Sequence, residues 1–469
     1  EDKRAYRIIG GDFVSMEEGT GIVHIAPAYG EIDFEVGEKE GLPLVHTVEL
    51  NGKVKTNIVT GFTPKAWEYI QKSEVPVILG PARWKLDLPG AGKFVKDADK
   101  DILDDLNSRG LLFRSERITH TYPFCWRCES PLLYYAKQTW YIKTTAAKEM
   151  LIAGNAEINW YPDYIKHGRF GDWLENNVDW AFSRERYWGT PLNIWHCPSC
   201  DKYECVGSVN GLRAQSSLSG LTTPLDLHRP YVDEITFACP KCDGKMQRVP
   251  EVIDSWFDSG AMPVAQWHYP FENEDKFKRN FPADFICEAV DQTRGWFYSL
   301  HAISTLLFNR PCFKNVICLG HVVDAQGEKM SKSKGNVIDP WAVINNYGAD
   351  ALRWYMLVST TGEDNHRFSA KMLEETMRKF FPTLWNTYLF FTLYANIDCF
   401  VPQPWMADSD QPKAFTELDN WINSELNRLV SEVAKLMDNY NLTSATRRIE
   451  GFTDNLSNWY VRRNRRRFW

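Results

Sequence analysis

Residues 320–336 read Gly-His-Val-Val-Asp-Ala-Gln-Gly-Glu-Lys-Met-Ser-Lys-Ser-Lys-Gly-Asn and directly follow an apolar run, Asn315-Val316-Ile317-Cys318-Leu319. A short run of this kind is the pattern of a strand buried in a parallel sheet. Lys329 and Lys332 then sit on a loop past the strand's carboxyl end, the edge of an open α/β sheet where ligands bind. Two ammonium groups among small hydroxyl residues, with Gly335 behind them, suit closure over a triphosphate and place positive charge where negative charge develops. Taken alone, a K-x-x-K is more often a solvated basic loop, so its neighbours have to decide.

Upstream, Asp284 to Ala289 has the same strand character and ends in a polar turn, after which Trp296 to Asn309 reads as an apolar helix. Strand, turn, helix and the strand at 315–319 make one βα unit of a parallel sheet. Glu288, Asp291 and Gln292 therefore emerge on the same edge as the lysine loop. Acceptors for an amino group and a ribose lie opposite donors for phosphates.

The chain has eleven cysteines, six of them in three C-x-x-C pairs, a usage that suits metal binding in a reducing compartment. Cys197-Pro198-Ser199-Cys200 and Cys239-Pro240-Lys241-Cys242 are two knuckles that together complete a tetrahedron for Zn²⁺. The 38 residues between them exceed the roughly 15–20 of a plain ribbon, so a small β insertion is expected there. Four sulfur ligands leave no open position, which makes the metal structural; reduced thiols or another metal are the alternatives. His196 adjoins the first knuckle as a neighbour. Cys125 and Cys128 are half a site, either free thiols or ligands awaiting a partner pair upstream of Glu1.

Residues 1–118 are dense in Gly and Pro turn signals, between which Gly21 to Pro27, Leu42 to Leu50 and Val75 to Leu79 read as strands and Ala98 to Arg109 as a helix. Gly19-Thr20-Gly21 lacks the G-K-[ST] ending of a phosphate loop. His24 on a strand and Asp33 on a loop are, by chemistry alone, more often a structural pair. At the other end, Leu418, Ile422, Leu426, Leu429, Val433, Leu436 and Tyr440 form the stripe of a long amphipathic helix in a bundle. Arg462, Arg463, Arg465, Arg466 and Arg467 follow beside Trp459, Tyr460 and Trp469. They are either a solvated face or a surface for phosphate contact and stacking on RNA. With a net charge of −7, any nucleic acid has to be met by such local patches. No apolar run is long enough to span a membrane. A start at Glu1 and an end directly after the arginines lead us to expect further sequence on both sides.

Several of these stretches coincide with the signatures of one enzyme family. Lys329 to Ser333 resembles the KMSKS signature of class I aminoacyl-tRNA synthetases, and Ser183 to Pro191 (SRERYWGTP) resembles the SRxRYWGTP element of isoleucyl-tRNA synthetases. Glu288 to Phe297 resembles that family's E-G-x-D-Q-x-R-G-W-F, and Gly19 to Phe34 resembles the late part of its editing domain. Trp459 to Trp469 resembles the start of its anticodon-binding helical domain. The resemblance covers nearly the whole chain.

It implies an ATP-dependent isoleucine–tRNA ligase: carboxylate attack on the α-phosphate of ATP, then transfer of the aminoacyl group to the terminal ribose of tRNA(Ile). Lys329 and Lys332 would stabilise the departing pyrophosphate, with Mg²⁺ accompanying ATP. Glu288 and Gln292 would handle the aminoacyl part and Asp291 the ribose, Gly320 and His321 would meet the adenylate, and Trp256 and Trp296 would wall the side-chain pocket. His24 and Asp33 would serve the editing of misactivated valine. Editing is needed because one methylene is worth only about 1–3 kcal/mol in a pocket, for which these enzymes are the standing example. The resemblance also implies a cytoplasmic monomer. It departs from the family at Ala289, where the pattern has Gly, and the H-x-G-H element of the class occurs nowhere in these 469 residues. The chain by itself is therefore expected to activate amino acid poorly or not at all. A valine or leucine enzyme, or a non-catalytic zinc-ribbon RNA-binding protein, are the rival readings.

The predicted architecture is α/β, the second half of a Rossmann-like parallel-sheet core with appended units. These are the β-rich end of an editing domain (1–118), a return into the core (119–194), a zinc-ribbon insertion (195–250), the core with its lysine loop (251–365) and the start of an α-helical bundle (366–469).

Overall fold

The computed structural model describes residues 7–15, 20–56, 88–117, 119, 121–125, 128–331, 335–361, 364–401 and 415–468. Two compact units divide the chain between Gln138 and Thr139.

In the first unit the described residues form two helices, α1 (Glu31–Glu40) and α2 (Asp99–Ser108). The second is the helix expected there. The first has no counterpart in the sequence reading, because Ile32, Phe34 and Val36 alternate instead of recurring every three to four residues. It is defined by acidic residues in its first turn and by Gly41, whose φ of 64° gives the left-handed cap that lets the chain leave. Asp33 thus lies on a helix and not on a loop. The strands expected at 21–27 and 42–50 are not formed; residues 22–26 run without regular pairing, and isolated bridges such as Val48 to Val54 stand in their place. An extended segment becomes a strand only when a neighbour takes up its backbone groups. The strand expected at 75–79 lies outside the described residues. The unit also runs past residue 118: the Ala136 amide donates to the Ala28 carbonyl at 2.8 Å, and the Tyr135 ring stacks on His46 at 4.5 Å.

After a short antiparallel pair between Tyr141–Ile142 and Trp180–Ala181, the second unit is built on α3 (Lys148–Glu157), β1 (Asn159–Tyr161) and β2 (Ser183–Arg184). The insertion follows as β3 (Ile194–Cys197), β4 (Lys202–Cys205), β5 (Thr236–Ala238) and β6 (Lys245–Arg248). Next come β7 (Val252–Ile253), α4 (Ser255–Gly260), β8 (Ala283–Ala289), α5 (Trp296–Phe308), β9 (Phe313–Leu319) and β10 (Val322–Val323). The C-terminal part is α6 (Ala349–Val358), β11 (His366–Arg367), α7 (Ala370–Ile397), α8 (Glu417–Asp438) and α9 (Leu442–Asp454).

Strands β8, β9 and β1 pair in parallel in that order, with Glu288 opposite Cys318 and Val316 opposite Trp160. Helix α5 is the crossover between β8 and β9. Residues 297–305 of it are all buried, which explains why its apolar residues are not confined to one stripe. Trp160, Phe170, Phe297, Phe313 and Val316 meet in the core. His301 is buried there too; its Nε2 donates to the Leu151 carbonyl at 2.8 Å, and burial pushes its pKa down to about 4, so the ring stays neutral.

β10 and β11 pair in parallel as a two-stranded sheet of their own, which ties His366 and Arg367, at the expected start of the bundle, to the segment that follows β9. In the bundle, α8 opens with a capping box in which Asp419 accepts from the Thr416 amide at 2.8 Å. The same carboxylate accepts from Arg467 and from the Tyr460 hydroxyl, both at 2.7 Å. The Arg467 guanidinium holds Asp419 below the usual carboxylate range. A carboxyl whose folded pKa is lowered adds stability that is complete above about pH 5 and is lost as the pH falls. Asp419→Ala is expected to cost about 2 kcal/mol at pH 7 and to flatten the acid limb of the stability profile, as read by urea unfolding at several pH values.

Candidate active site

At the carboxyl edge of the sheet, β8 ends with Glu288 exposed and Ala289 at φ −75° and ψ 161°. Any L-residue adopts that backbone, so the position does not call for the glycine of the family pattern. The chain then makes a 3₁₀ turn, Val290–Arg294. Gln292 fixes this turn: its Oε1 accepts from the Trp296 amide and its Nε2 donates to Asp291 Oδ2, both at 3.0 Å. A Cβ on Gly295 would come within 2.8 Å of Gln292 Oε1 and 3.1 Å of the Trp256 ring. Glycine here is what lets Trp256 approach Gln292. Trp296 closes the same corner by donating from Nε1 to the Ser259 carbonyl of α4 at 3.1 Å. Glu288, Asp291, Gln292, Trp256 and Trp296 therefore gather around one turn.

The sequence reading missed what supports Trp256. Asp254 caps α4 by accepting from the Trp256 amide at 3.2 Å and also binds Arg184 at 2.7 Å. Thr190 donates to Asp258 at 3.0 Å. The SRERYWGTP element is thus a strut beneath α4 rather than a free surface turn. Tyr187 and Trp188 within it stay exposed.

The partner segment leaves the neighbouring strand. Gly320 is buried and His321 donates its amide to Asn365 Oδ1 at 3.1 Å, while the His366 amide donates to the His321 carbonyl at 2.8 Å. A tight hairpin follows, with Gly327 at φ 92° and Lys329 bridged to Val323. Lys329 is exposed, whereas Met330 packs against the cluster of Val343, Tyr355, Phe368 and Leu373. That peg was not legible in the sequence. Lys332 lies outside the described residues. The acidic turn and the Lys329 hairpin thus depart from two adjacent, paired strands at one edge of the sheet.

The insertion is an antiparallel sheet in the order β4-β3-β6-β5. It brings the sulfurs of Cys197, Cys200, Cys239 and Cys242 within 4.8 Å of one another. Burial opposes charge on Cys197, but the Ser199 and Cys200 amides and the neighbouring thiols outweigh it and bring this thiol down to about 6. A Cβ on Gly244 would lie 2.9 Å from Cys197 Sγ, so that glycine makes room for the cluster. The His196 ring is engaged by Asp201 at 2.7 Å and stacks on Tyr203, as befits a neighbour. Among the described residues no metal-ligand cluster includes Cys125 or Cys128.

His24 is exposed, and Asp33 Oδ2 accepts from the Ala26 amide at 3.0 Å, two residues past it. In the arginine cluster, Arg463 lies 4.4 Å over the Trp459 ring and Arg465 5.9 Å over Phe390. Arg467 is bound to Asp419, which sets it apart from Arg462 and Arg466 as a structural cation.

The family tRNA synthetases class I (I, L, M and V) matches residues 28–368, and the anticodon-binding domain of tRNA ligase matches residues 419–469. The chain belongs to the class I tRNA synthetases. It is 58% identical over 467 residues to the isoleucine–tRNA ligase of Dehalococcoides mccartyi, covering 99% of this chain and 43% of that protein. The isoleucine–tRNA ligase of Thermus thermophilus is 47% identical over 468 residues, covering 100% of this chain and 41% of that protein. The chain therefore spans less than half the length of these curated relatives. Among solved structures, a Mycobacterium tuberculosis methionyl-tRNA synthetase in complex with methionyl-adenylate superposes with a TM-score of 0.52 at 17% identity, over 74% of this chain and 57% of that one, a likeness of fold.

Proposed function

We propose that the protein containing this chain is an isoleucine–tRNA ligase that activates isoleucine with ATP and transfers it to tRNA(Ile). The observation that carries this reading is the pairing of β8 with β9, which sends Glu288, Asp291 and Gln292 out of the same sheet edge as Lys329. The isoleucine carboxylate attacks the α-phosphate of ATP; a bond forms to that phosphorus and the bond to pyrophosphate breaks. Glu288 and Gln292 orient the aminoacyl part, Asp291 the ribose, and Lys329 and Lys332 meet charge growing on the pyrophosphate. Trp256 and Trp296 form the apolar wall for the isoleucine side chain. ATP arrives with Mg²⁺, and Gly320 and His321 border the adenylate.

Four clustered sulfurs fit Zn²⁺, which Cys197, Cys200, Cys239 and Cys242 would hold to give the insertion its structure. Cys125 and Cys128 would need a second pair to do the same. His24 and Asp33 serve the editing of valine attached in error, and Arg462, Arg463, Arg465 and Arg466 contact tRNA. No helix among the described residues is long and apolar enough to cross a membrane. A cytoplasmic monomer accords with this reading.

ATP–pyrophosphate exchange by the complete protein, run with isoleucine, valine and leucine, tests the assignment. Isoleucine is expected to exceed valine by roughly a hundredfold in kcat/KM. A preference for valine or leucine, or no exchange with any of the three, rejects it.

A further inference from the structure

The hairpin that carries Lys329 is closed by a polar pair twelve residues apart. Asp324 stands where the hairpin turns and Asn336 on the chain that follows it, and Asn336 Nδ2 donates to Asp324 Oδ2 at 2.9 Å. Each partner also binds backbone on its own side of the loop. Asp324 Oδ1 accepts from the Gln326 amide at 3.0 Å and the Glu328 amide at 2.8 Å. Asn336 Oδ1 accepts from the Ser331 amide at 2.9 Å, and its Nδ2 also lies 3.4 Å from the Lys329 carbonyl. The backbone on both sides of Lys329 is therefore held by two side chains that hold each other. Met330 adds an apolar peg between them.

We propose that Asp324 and Asn336 form a clasp that positions Lys329 for its work on the polyphosphate, a step that rests on the ligase reading above. The clasp is directional. Asp324 can only accept, and Asn336 uses its amide nitrogen toward Asp324 and its oxygen toward Ser331. Hydrogen bonding from Asn336 and the Glu328 amide keeps Asp324 below the usual carboxylate range, so the clasp is closed at neutral pH. The directionality gives the test its form. Asn336→Asp sets two acceptors against each other, and Asp324→Asn sets two donors against each other. The double exchange restores one donor facing one acceptor and keeps the backbone amides served.

Two readouts separate the clasp from the ligase assignment. The first is the rate of tryptic cleavage after Lys329, identified by peptide mass, which needs no activity. Each single variant is expected to raise it about tenfold and the double exchange to return it to within about threefold of the parent, since opening a segment to protease follows its local stability. The second is isoleucine-dependent exchange by the complete protein, where each single variant lowers kcat about tenfold and the double exchange recovers most of it. Cleavage rates unchanged in the single variants, or a double exchange that cleaves no more slowly than the worse single variant or, where the parent protein exchanges, has a kcat no higher than the worse single variant, overturns the clasp. Rescued cleavage in a protein that shows no exchange at all would sustain the clasp as a structural device, overturn its positioning role and leave the ligase reading as the one that failed.

Discussion

Replacing Lys329 with alanine in the complete protein is expected to slow isoleucine-dependent ATP–pyrophosphate exchange by roughly a hundredfold or more, with KM for isoleucine nearly unchanged. A unit charge about 4 Å from a developing negative charge is worth about 4 kcal/mol at the effective dielectric of a protein surface. Water around an exposed side chain takes back part of this, which leaves about 2.7 kcal/mol, or two orders of magnitude in rate. The effect falls on kcat because charge on the pyrophosphate appears only as the α-phosphate bond breaks, and binding that is stronger in the transition state than in the ground state is what accelerates a step. On the proposed reading the isoleucine side chain is met at Trp256 in α4 and Trp296 in α5, away from Lys329, so its binding has no reason to weaken. Lys329→Arg keeps the charge but replaces a compact ammonium with a planar fork, and an intermediate rate is expected. Unchanged exchange in the alanine variant would place Lys329 outside the chemistry.

The parts of this structure that could be read from sequence are those whose pattern has one physical cause. A run such as Val316-Ile317-Cys318 is apolar without alternation because both faces of β9 are covered, and two C-P-x-C knuckles have few uses other than converging on one point. The acidic turn was legible for a related reason: a strand, a turn and a buried helix leave few places for Glu288 and Gln292 to go. In the first unit the same reasoning failed. Ile22, Val23 and Ile25 look like a strand, yet a strand also needs a neighbour, and pairing is not written in a single segment. Helix α1 escaped because its apolar residues alternate, while its boundary is set by one left-handed glycine at Gly41. The supports of the site were hidden for a third reason, distance along the chain. Arg184 meets Asp254 and Asp324 meets Asn336, and neither partner carries any local mark of the other. Met330 shows the same limit: its place between two lysines is plain, but its burial depends on Tyr355 and Phe368.

Loss of zinc should unfold the insertion while leaving the parallel sheet intact. The insertion's own core is small: Trp195, Val206, Leu212, Val232, Ile235, Phe237 and Met246, joined by the thiols of Cys197 and Cys239. Two of these buried groups are thiols of the proposed zinc site, so the core is incomplete as a hydrophobic cluster, and units of this size often rely on a metal or a crosslink. A structural zinc on four thiolates contributes apparent binding energies on the order of 10–16 kcal/mol that count as folding energy. At its root the insertion is tied to the rest of the unit by other means. Arg248 is buried, binds Asp233, and donates to the Leu192 and Glu251 carbonyls at 3.1 and 2.9 Å. Unfolding should therefore stop at that root. The expected result is about one zinc per chain in the parent protein and less than about a tenth of that in Cys197→Ala/Cys242→Ala. Hydrogen exchange after chelation should show protection lost across β3 to β6 and kept in β8 and β9, because local unfolding follows cooperative units. Full zinc content in the double variant, or protection in β3 to β6 that survives chelation, would mean that the insertion is held by its apolar residues and that the four sulfurs are ordinary thiols.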